Sequence, residues 1–436
     1  MNSTDKNQAL NPLEKENLRL RVAVEELSIL NEIATTISSA HSLDRVVELI
    51  VQKCIKHLKV EQGAVMLLQE ESQDSPFRTM VRQADASTMS RILPFRLDTQ
   101  LTGWMLKNQK PLVINDFEKD DRFQKGELEN FSIHSLLSVP LRLKGNMIGL
   151  LTVFNKKIPG GFSDEDQRLL SIIAAQSAQV IENTRLHEEE KEYLMMQEQM
   201  RLARDIQMRL LPESAPEIEG YEIAGISDPA QEVGGDYYDF IPFGQDRLAI
   251  CLGDVSGKGI PAAMLMSNLQ ATLRSQTISD VSPKECLSRS NTLLFHSTDF
   301  QKFATVFYGI LNFKKHELTY TNGGHDDPIL FIKDKKHQRL SVGGTVLGFV
   351  EEFVYTEDKI SLNPGDFFII YSDGITEAMN VQEEEFGEKR LIEVIQESRN
   401  SSPKELIDKI LNSVNIHVGK APQMDDMTVV IVKRKD

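Results

Sequence analysis

Between Asp164 and Leu211 the chain has no glycine and no proline, and Pro212 follows directly. Such a stretch reads as one continuous helix that a proline stops. It divides the chain, because whatever lies before Asp164 and after Pro212 is left to fold as separate units. Leu186, Tyr193 and Met200 recur every seven residues, Met196, Ala203 and Leu210 fill intermediate positions, and Glu189 interrupts the seam. The run Glu188–Glu192 is highly charged. A solvated linker helix and a parallel two-stranded coiled coil between two protomers both fit. The persistence of the seam and its sharp end favour the coiled coil, and with it a homodimer. Ser163 opens the helix with Asp166 three residues on, an acidic variant of the capping box.

At roughly 150 residues per domain, 436 residues suggest two or three domains. Apolar residues make up 40% of the chain and charged ones 26%, enough for more than one core. The net charge of -16 argues against nucleic-acid binding, which needs a basic face. An acidic chain that handles phosphate has to neutralise it, and bound cations are one way. Cys54, Cys251 and Cys286 lie far apart in or beside apolar runs, without metal-ligand spacing, and read as reduced core residues. Met1–Leu10 lacks an apolar secretion signal, and no run approaches the ~20 apolar residues of a bilayer span. A cytoplasmic protein without membrane insertion is expected.

Upstream, Leu13, Leu20 and Leu27 recur every seven, with Val24 between, and suggest a short amphipathic helix or coiled coil. Helical periodicity continues through Leu30, Ile33 and Ile37 and from Leu43 to Leu58. A strand is expected at Gly63–Leu68, a polar irregular middle after it, and strands at Ser135–Leu143 and Met147–Phe154 about the turn Lys144-Gly145-Asn146. Beyond Pro212 the chain reads as α+β. Expected strands are Tyr221–Gly225, Asp246–Leu252, Phe303–Leu311, Leu318–Thr321, Pro328–Ile332, Asp366–Tyr371 and Thr428–Val432. Expected helices are Pro261–Gln276, Pro283–His296, Gly387–Ser398 and Pro403–Val418.

Aspartates recur where these strands give way to turns. Asp236 and Asp239 lie in Gly234-Gly235-Asp236-Tyr237-Tyr238-Asp239. Asp254 follows Leu248–Leu252, Asp373 follows Phe367–Tyr371, and Asp425 with Asp426 precedes the last strand. One Asp-Gly is usually only a turn. Four such sites in one domain can converge, and clustered carboxylates need cations between them; all-oxygen donors suit Mg²⁺ or Mn²⁺. Gly253–Gly259 has neither Walker spacing nor GxGxxG, which excludes an NTPase and a dinucleotide site.

Taken with Gly253-Asp254-Val255-Ser256-Gly257-Lys258-Gly259-Ile260-Pro261, Asn322-Gly323-Gly324-His325, Tyr371-Ser372-Asp373-Gly374 and Met424-Asp425-Asp426-Met427-Thr428, residues from about 200 to 434 resemble the PPM metal-dependent phosphatases of the SpoIIE/RsbU branch. Ala203–Pro212 is similar to the helix leading into that domain. The resemblance implies an α-β-β-α sandwich holding two Mn²⁺ or Mg²⁺ ions. It implies that Asp254 bridges them, with the Val255 carbonyl assisting; that Asp373 and Asp425 complete the shell of one; and that Asp236 holds the other, directly or through water. Asp239 and Asp426 are supporting candidates or structural caps. His325 is a proton-transfer candidate or a buried turn residue, and Lys258 a phosphate contact or an exposed lysine. Asp326-Asp327-Pro328 departs from the family's Asn-Pro-Pro-like turn, and no counterpart is evident for the phosphate-gripping arginine of eukaryotic relatives.

Residues 27–186 resemble a GAF domain, through Ser138-Val139-Pro140-Leu141, Gly149–Lys156 and Phe162–Asp166. No cyclic nucleotide is expected, because the Phe-to-Asp spacing is too short; its ligand is left unknown. Trp104 is a pocket candidate or a core residue. The expected division is a tail and helix at 1–26, a GAF sensor at 27–186, a helical linker at 187–212 and a PPM domain at 213–436. The implied activity is removal of phosphate from serine or threonine of a partner, by analogy a STAS-type anti-anti-sigma factor in partner switching. The competing reading is a non-catalytic phosphoprotein-binding scaffold, which loss of a metal aspartate would mark; all four are present.

Overall fold

A computed structural model describes residues 42–68, 77–83, 99–120, 133–297, 302–333 and 337–435, with a few isolated positions besides. The expected helix through Leu13 and Leu27, and the periodicity at Leu30–Ile37, fall largely outside these; Leu20 and Val24 are helical and exposed. The chain forms two compact units, Met1–Leu194 and Met195–Asp436.

In the first unit, α1 (Leu43–Leu58) precedes β1 (Val60–Leu68) and β2 (Phe77–Gln83), then α2 (Thr99–Asn108) and β3 (Leu112–Ile114). The hairpin β4 (Leu136–Leu143) and β5 (Asn146–Lys156) follows. The antiparallel sheet has the order β2-β1-β5-β4-β3. Elements β2, α2 and β3 occupy the stretch that reads as irregular in sequence, because they are short and carry little periodicity. Lys144 and Gly145 both have positive φ, as a two-residue type I′ hairpin turn requires. Strand β5 is buried on both sides: Leu151 and Val153 face α1 and the following long helix, while Leu150 and Phe154 face a smaller cluster with Met105, Phe117 and part-buried Trp104.

That long helix, α3 (Asp164–Met208), spans both units in sequence. Its start is the expected box: the Ser163 N–H donates to Asp166 Oδ2 at 3.0 Å, and the Asp166 N–H donates to Ser163 Oγ at 3.2 Å. Within the first unit the Leu43 N–H donates to Glu188 Oε1 at 3.0 Å, so part of the charged run has a fixed job at the N-terminus of α1. Leu186, Tyr193 and Met196 are exposed.

The second unit contains two sheets. The first has the order β13-β10-β9-β8-β7, from β7 (Tyr237–Phe243), β8 (Arg247–Val255), β9 (Ala304–Asn312), β10 (Glu317–Gly323) and β13 (Gly343–Gly344), with β14 (Asp358–Ser361) also on β10. The second has the order β12-β11-β15-β16-β6, from β6 (Tyr221–Asp228), β11 (Ile329–Phe331), β12 (Gln338–Arg339), β15 (Phe367–Tyr371) and β16 (Met427–Arg434). Helices α4 (Ile260–Ile278) and α5 (Pro283–Ser297) cover the first sheet; after the one-turn α6 (Asp373–Thr376), α7 (Gly387–Glu397) and α8 (Pro403–Val418) cover the second.

The layering follows from side-chain alternation. Phe368, Ile370, Val430 and Val432 point into the core between the sheets, while Phe367, Ile369, Val429 and Ile431 pack on α7 and α8. Strands buried on both faces read as unbroken apolar runs, which is why β15 is legible in sequence. All three cysteines are free and buried. Among the described residues no helix is long and apolar enough to cross a membrane.

Candidate metal centre

Register brings the aspartate loops to one edge of the sandwich. Tyr237 pairs with Gly253 and Asp254 with Thr305, so the start of β7 and the end of β8 lie together. Tyr371 pairs with Val429 and Met427 with Asp228, which sets the ends of β15 and β6 beside the start of β16. Asp236 therefore stands just before β7, Asp254 at the end of β8, Asp373 at the first residue of α6 and Asp425 just before β16. Buried Val255 turns its carbonyl towards Gly235, where an added Cβ would lie 3.0 Å from that oxygen and 3.4 Å from Asp254 Oδ1.

Asp426 fastens the two halves. Its Oδ1 accepts from the Ala230 N–H at 2.8 Å; its Oδ2 accepts from the N–H groups of Gly235 at 2.6 Å and Asp236 at 3.2 Å. Two glycines make room for this residue. A Cβ on Gly234 would lie 2.3 Å from Asp426 Oδ2, and one on Gly374 would lie 2.1 Å from the Asp426 carbonyl oxygen. The Ser372 hydroxyl donates to that carbonyl at 3.0 Å and accepts from the Thr428 N–H at 2.9 Å.

The electrostatics are those of crowded carboxylates. Asp236 is 4% exposed, and its Oδ2 has no hydrogen-bond partner. Burial, then the neighbouring Asp254, hold its carboxyl well above the usual range, with hydroxyls of Thr428 and Ser372 pulling the other way. Burial, then Asp373, Asp425 and Asp426, push Asp254 up to about 7. Asp373 is raised by burial and by Asp425. Among the described residues no three carboxylate, imidazole or thiol groups close around one point. The Lys258 ammonium instead lies 2.9 Å from Asp425 Oδ2 and donates to the Met424 carbonyl. The donor set still fits hard divalent cations: it is all oxygen, over-acidic, and includes an unsatisfied buried carboxylate oxygen.

Other sequence candidates find different places. Asp239 is not at a turn. It lies inside β7, fully buried, accepting from Arg274 on α4 at 2.6 and 3.1 Å and from the Tyr237 hydroxyl at 2.6 Å. It braces β7 against α4. His325 is buried; its Nδ1 pairs with Thr305 Oγ1 at 2.9 Å, and Thr305 Oγ1 donates to the Asp254 carbonyl at 3.5 Å. Burial lowers the imidazole to about 4, so it is neutral and unsuited to act as an acid near pH 7. Trp104 belongs to a core cluster. Sequence reasoning missed Gln207, which is 6% exposed and hydrogen-bonded to the backbone of Gly234. Its signal is the heptad step from Met200, which lands on a polar residue.

The chain matches two family profiles, "Stage II sporulation protein E (SpoIIE)" over residues 244–435 and "GAF domain" over residues 40–182. It is 32% identical over 239 residues to phosphoserine phosphatase RsbU of Bacillus subtilis (strain 168), covering 54% of this chain and 70% of that protein. It is 31% identical over 259 residues to protein IcfG of Synechocystis sp., covering 53% of this chain but only 40% of IcfG. Among solved structures, the SiaA-PP2C domain of Pseudomonas aeruginosa superposes with a TM-score of 0.50 at 20% identity, over 56% of this chain and 99% of that domain. That likeness bears on the fold alone.

His325 gives a pH test. Its folded pKa lies below the unfolded value of ~6.5, so between about 6.5 and 4 the unfolded chain takes a proton that the folded one refuses. Its neutral form therefore contributes stability that is complete above about 6.5 and lost as the pH falls towards 4. The stability advantage of wild type over His325→Gln should shrink across that window in urea unfolding at fixed salt. An advantage independent of pH would contradict the neutral buried assignment.

Proposed function

The chain belongs to the SpoIIE/RsbU family of PP2C-type phosphatases, and on that footing we propose that it hydrolyses phosphoserine or phosphothreonine on a partner protein. The observation that carries this is the register that brings the loops of Asp236, Asp254, Asp373 and Asp425 to one edge of the two sheets, with the buried Asp236 Oδ2 unsatisfied. These four and the Val255 carbonyl would hold two Mn²⁺ or Mg²⁺ ions. Bound ions of this kind lower the pKa of a water and neutralise phosphate oxygens. The protein holds the carboxylates still: Asp426 ties the Gly235–Asp236 backbone to the start of β16, and Ser372 ties the end of β15 to the same place. Neutral His325 braces the loop behind Asp254 through Thr305. By analogy with the family branch, the substrate would be a phosphorylated STAS-type anti-anti-sigma factor in a partner-switching pathway, and the GAF unit would supply the control.

Purified protein should turn over a small aryl phosphate with Mn²⁺ or Mg²⁺. EDTA should abolish this, and Asp254→Ala should lower kcat by about 100-fold or more, the scale of several kcal/mol of lost charge stabilisation. Turnover insensitive to EDTA or to Asp254→Ala would refute the metal-dependent reading.

The exposed apolar positions Leu186, Tyr193 and Met196 on α3 support a homodimer through the seam. The double change Met196→Asp and Met200→Asp should give monomers in sedimentation and should shift basal activity. A variant that stays dimeric and unaltered in activity would refute a dimer built on this seam.

A further inference from the structure

The last turn of α3 carries a side chain that reaches the loop of Asp236. Most of the helix end faces solvent: Leu202, Ile206 and Met208 are 48%, 67% and 43% exposed. Gln207 is the exception at 6%, and Leu211 beyond it is buried in the core between the sheets. Both ends of the Gln207 amide pair with one residue. Its Nε2 donates to the Gly234 carbonyl at 2.7 Å, and its Oε1 accepts from the Gly234 N–H at 3.0 Å. A primary amide is the side chain that can satisfy both groups of one peptide residue at once. Gly234 has no room for a side chain, because an added Cβ would lie 2.3 Å from Asp426 Oδ2. Gly235 and Asp236 in turn donate to that same carboxylate. The loop is thus gripped from two sides, at Gly234 by the helix and at the next two residues by Asp426, and it ends on the unsatisfied Asp236 Oδ2.

We propose that Gln207 is a positioning residue. Its amide sets the Gly234–Asp236 loop so that Asp236 meets the cation site, and it makes the end of α3 part of the metal centre's support. This rests on the metal reading above. The heptad position that is apolar and exposed at Leu186 and Tyr193 becomes, at Gln207, an inward polar contact. Small rotations or shifts of the helix end would therefore act on the Asp236 loop before they act on any other metal-binding loop.

The test is titration of Mn²⁺ into the metal-stripped full chain, followed calorimetrically, for wild type, Gln207→Leu and Gln207→Glu. Gln207→Leu keeps the bulk and loses both hydrogen bonds, and its Mn²⁺ dissociation constant should rise by about tenfold or more (~1.4 kcal/mol). KM for an aryl phosphate measured at saturating Mn²⁺ should stay near wild type, whereas a general loosening of the fold would move both. In Gln207→Glu the carboxylate accepts from the Gly234 N–H but opposes its carbonyl, and protonation restores a donor. Its deficit against wild type should narrow as pH falls from about 8 to about 5.5. Wild-type affinity in Gln207→Leu, or a Gln207→Glu deficit that does not change with pH, would overturn the proposal. Absence of Mn²⁺ binding in wild type itself would instead overturn the metal reading, and this inference with it.

Discussion

Like charges drawn to one edge of a sandwich repel, and much of the second unit is arranged to hold them there. At an effective dielectric of ~20, two carboxylates a few ångströms apart oppose each other by about 3–4 kcal/mol. The fold resists this with groups that carry no such charge: backbone N–H donors from Ala230, Gly235 and Asp236 on Asp426, the hydroxyl of Ser372, and glycines that let the loops close. What protein groups leave over is visible in Asp236 and Asp254, whose carboxyls are both held towards the protonated form by burial and by neighbouring carboxylates. Lys258 offsets part of the excess at Asp425, but its side chain is 46% exposed, and such a pair contributes little. A divalent cation is the chemistry that this charge distribution lacks.

The sheets matter because they are rigid where the loops are short. Strands β15 and β16 are covered on both faces, and their register fixes Asp373 and Asp425 relative to one another. Strands β7, β8 and β9 do the same for Asp236 and Asp254, with Asp239 and Arg274 locking β7 to α4. At the site the two sets are tied by Asp426, which holds the Ala230, Gly235 and Asp236 N–H groups, and by Lys258 on Asp425. The loop of Asp236, standing at the outer strand β7, leans on Gln207 for the rest of its support.

Much of this was legible in sequence for a physical reason. Doubly buried strands such as Phe367–Tyr371 appear as unbroken apolar runs, and an aspartate after such a run marks the strand's end. Capping at Ser163 was legible because its partner is three residues away. What could not be read depends on distant partners. Asp239 looks like a turn residue until Arg274, thirty-five positions on, neutralises it within a strand. Strands β2 and β3 are short and were hidden in a polar stretch. Gln207 looks like a flaw in an apolar seam until the backbone of Gly234 is seen beside it.

The central claim is that carboxylates from the two sheets share divalent cations at this edge. Anomalous diffraction at the manganese edge, from crystals of the full chain grown with Mn²⁺, tests it directly. The account predicts two peaks between the Asp236–Asp254 loops and the Asp373–Asp425 loops, with the Lys258 ammonium moved off Asp425. Peaks elsewhere, or none with Lys258 still seated on Asp425, would contradict it.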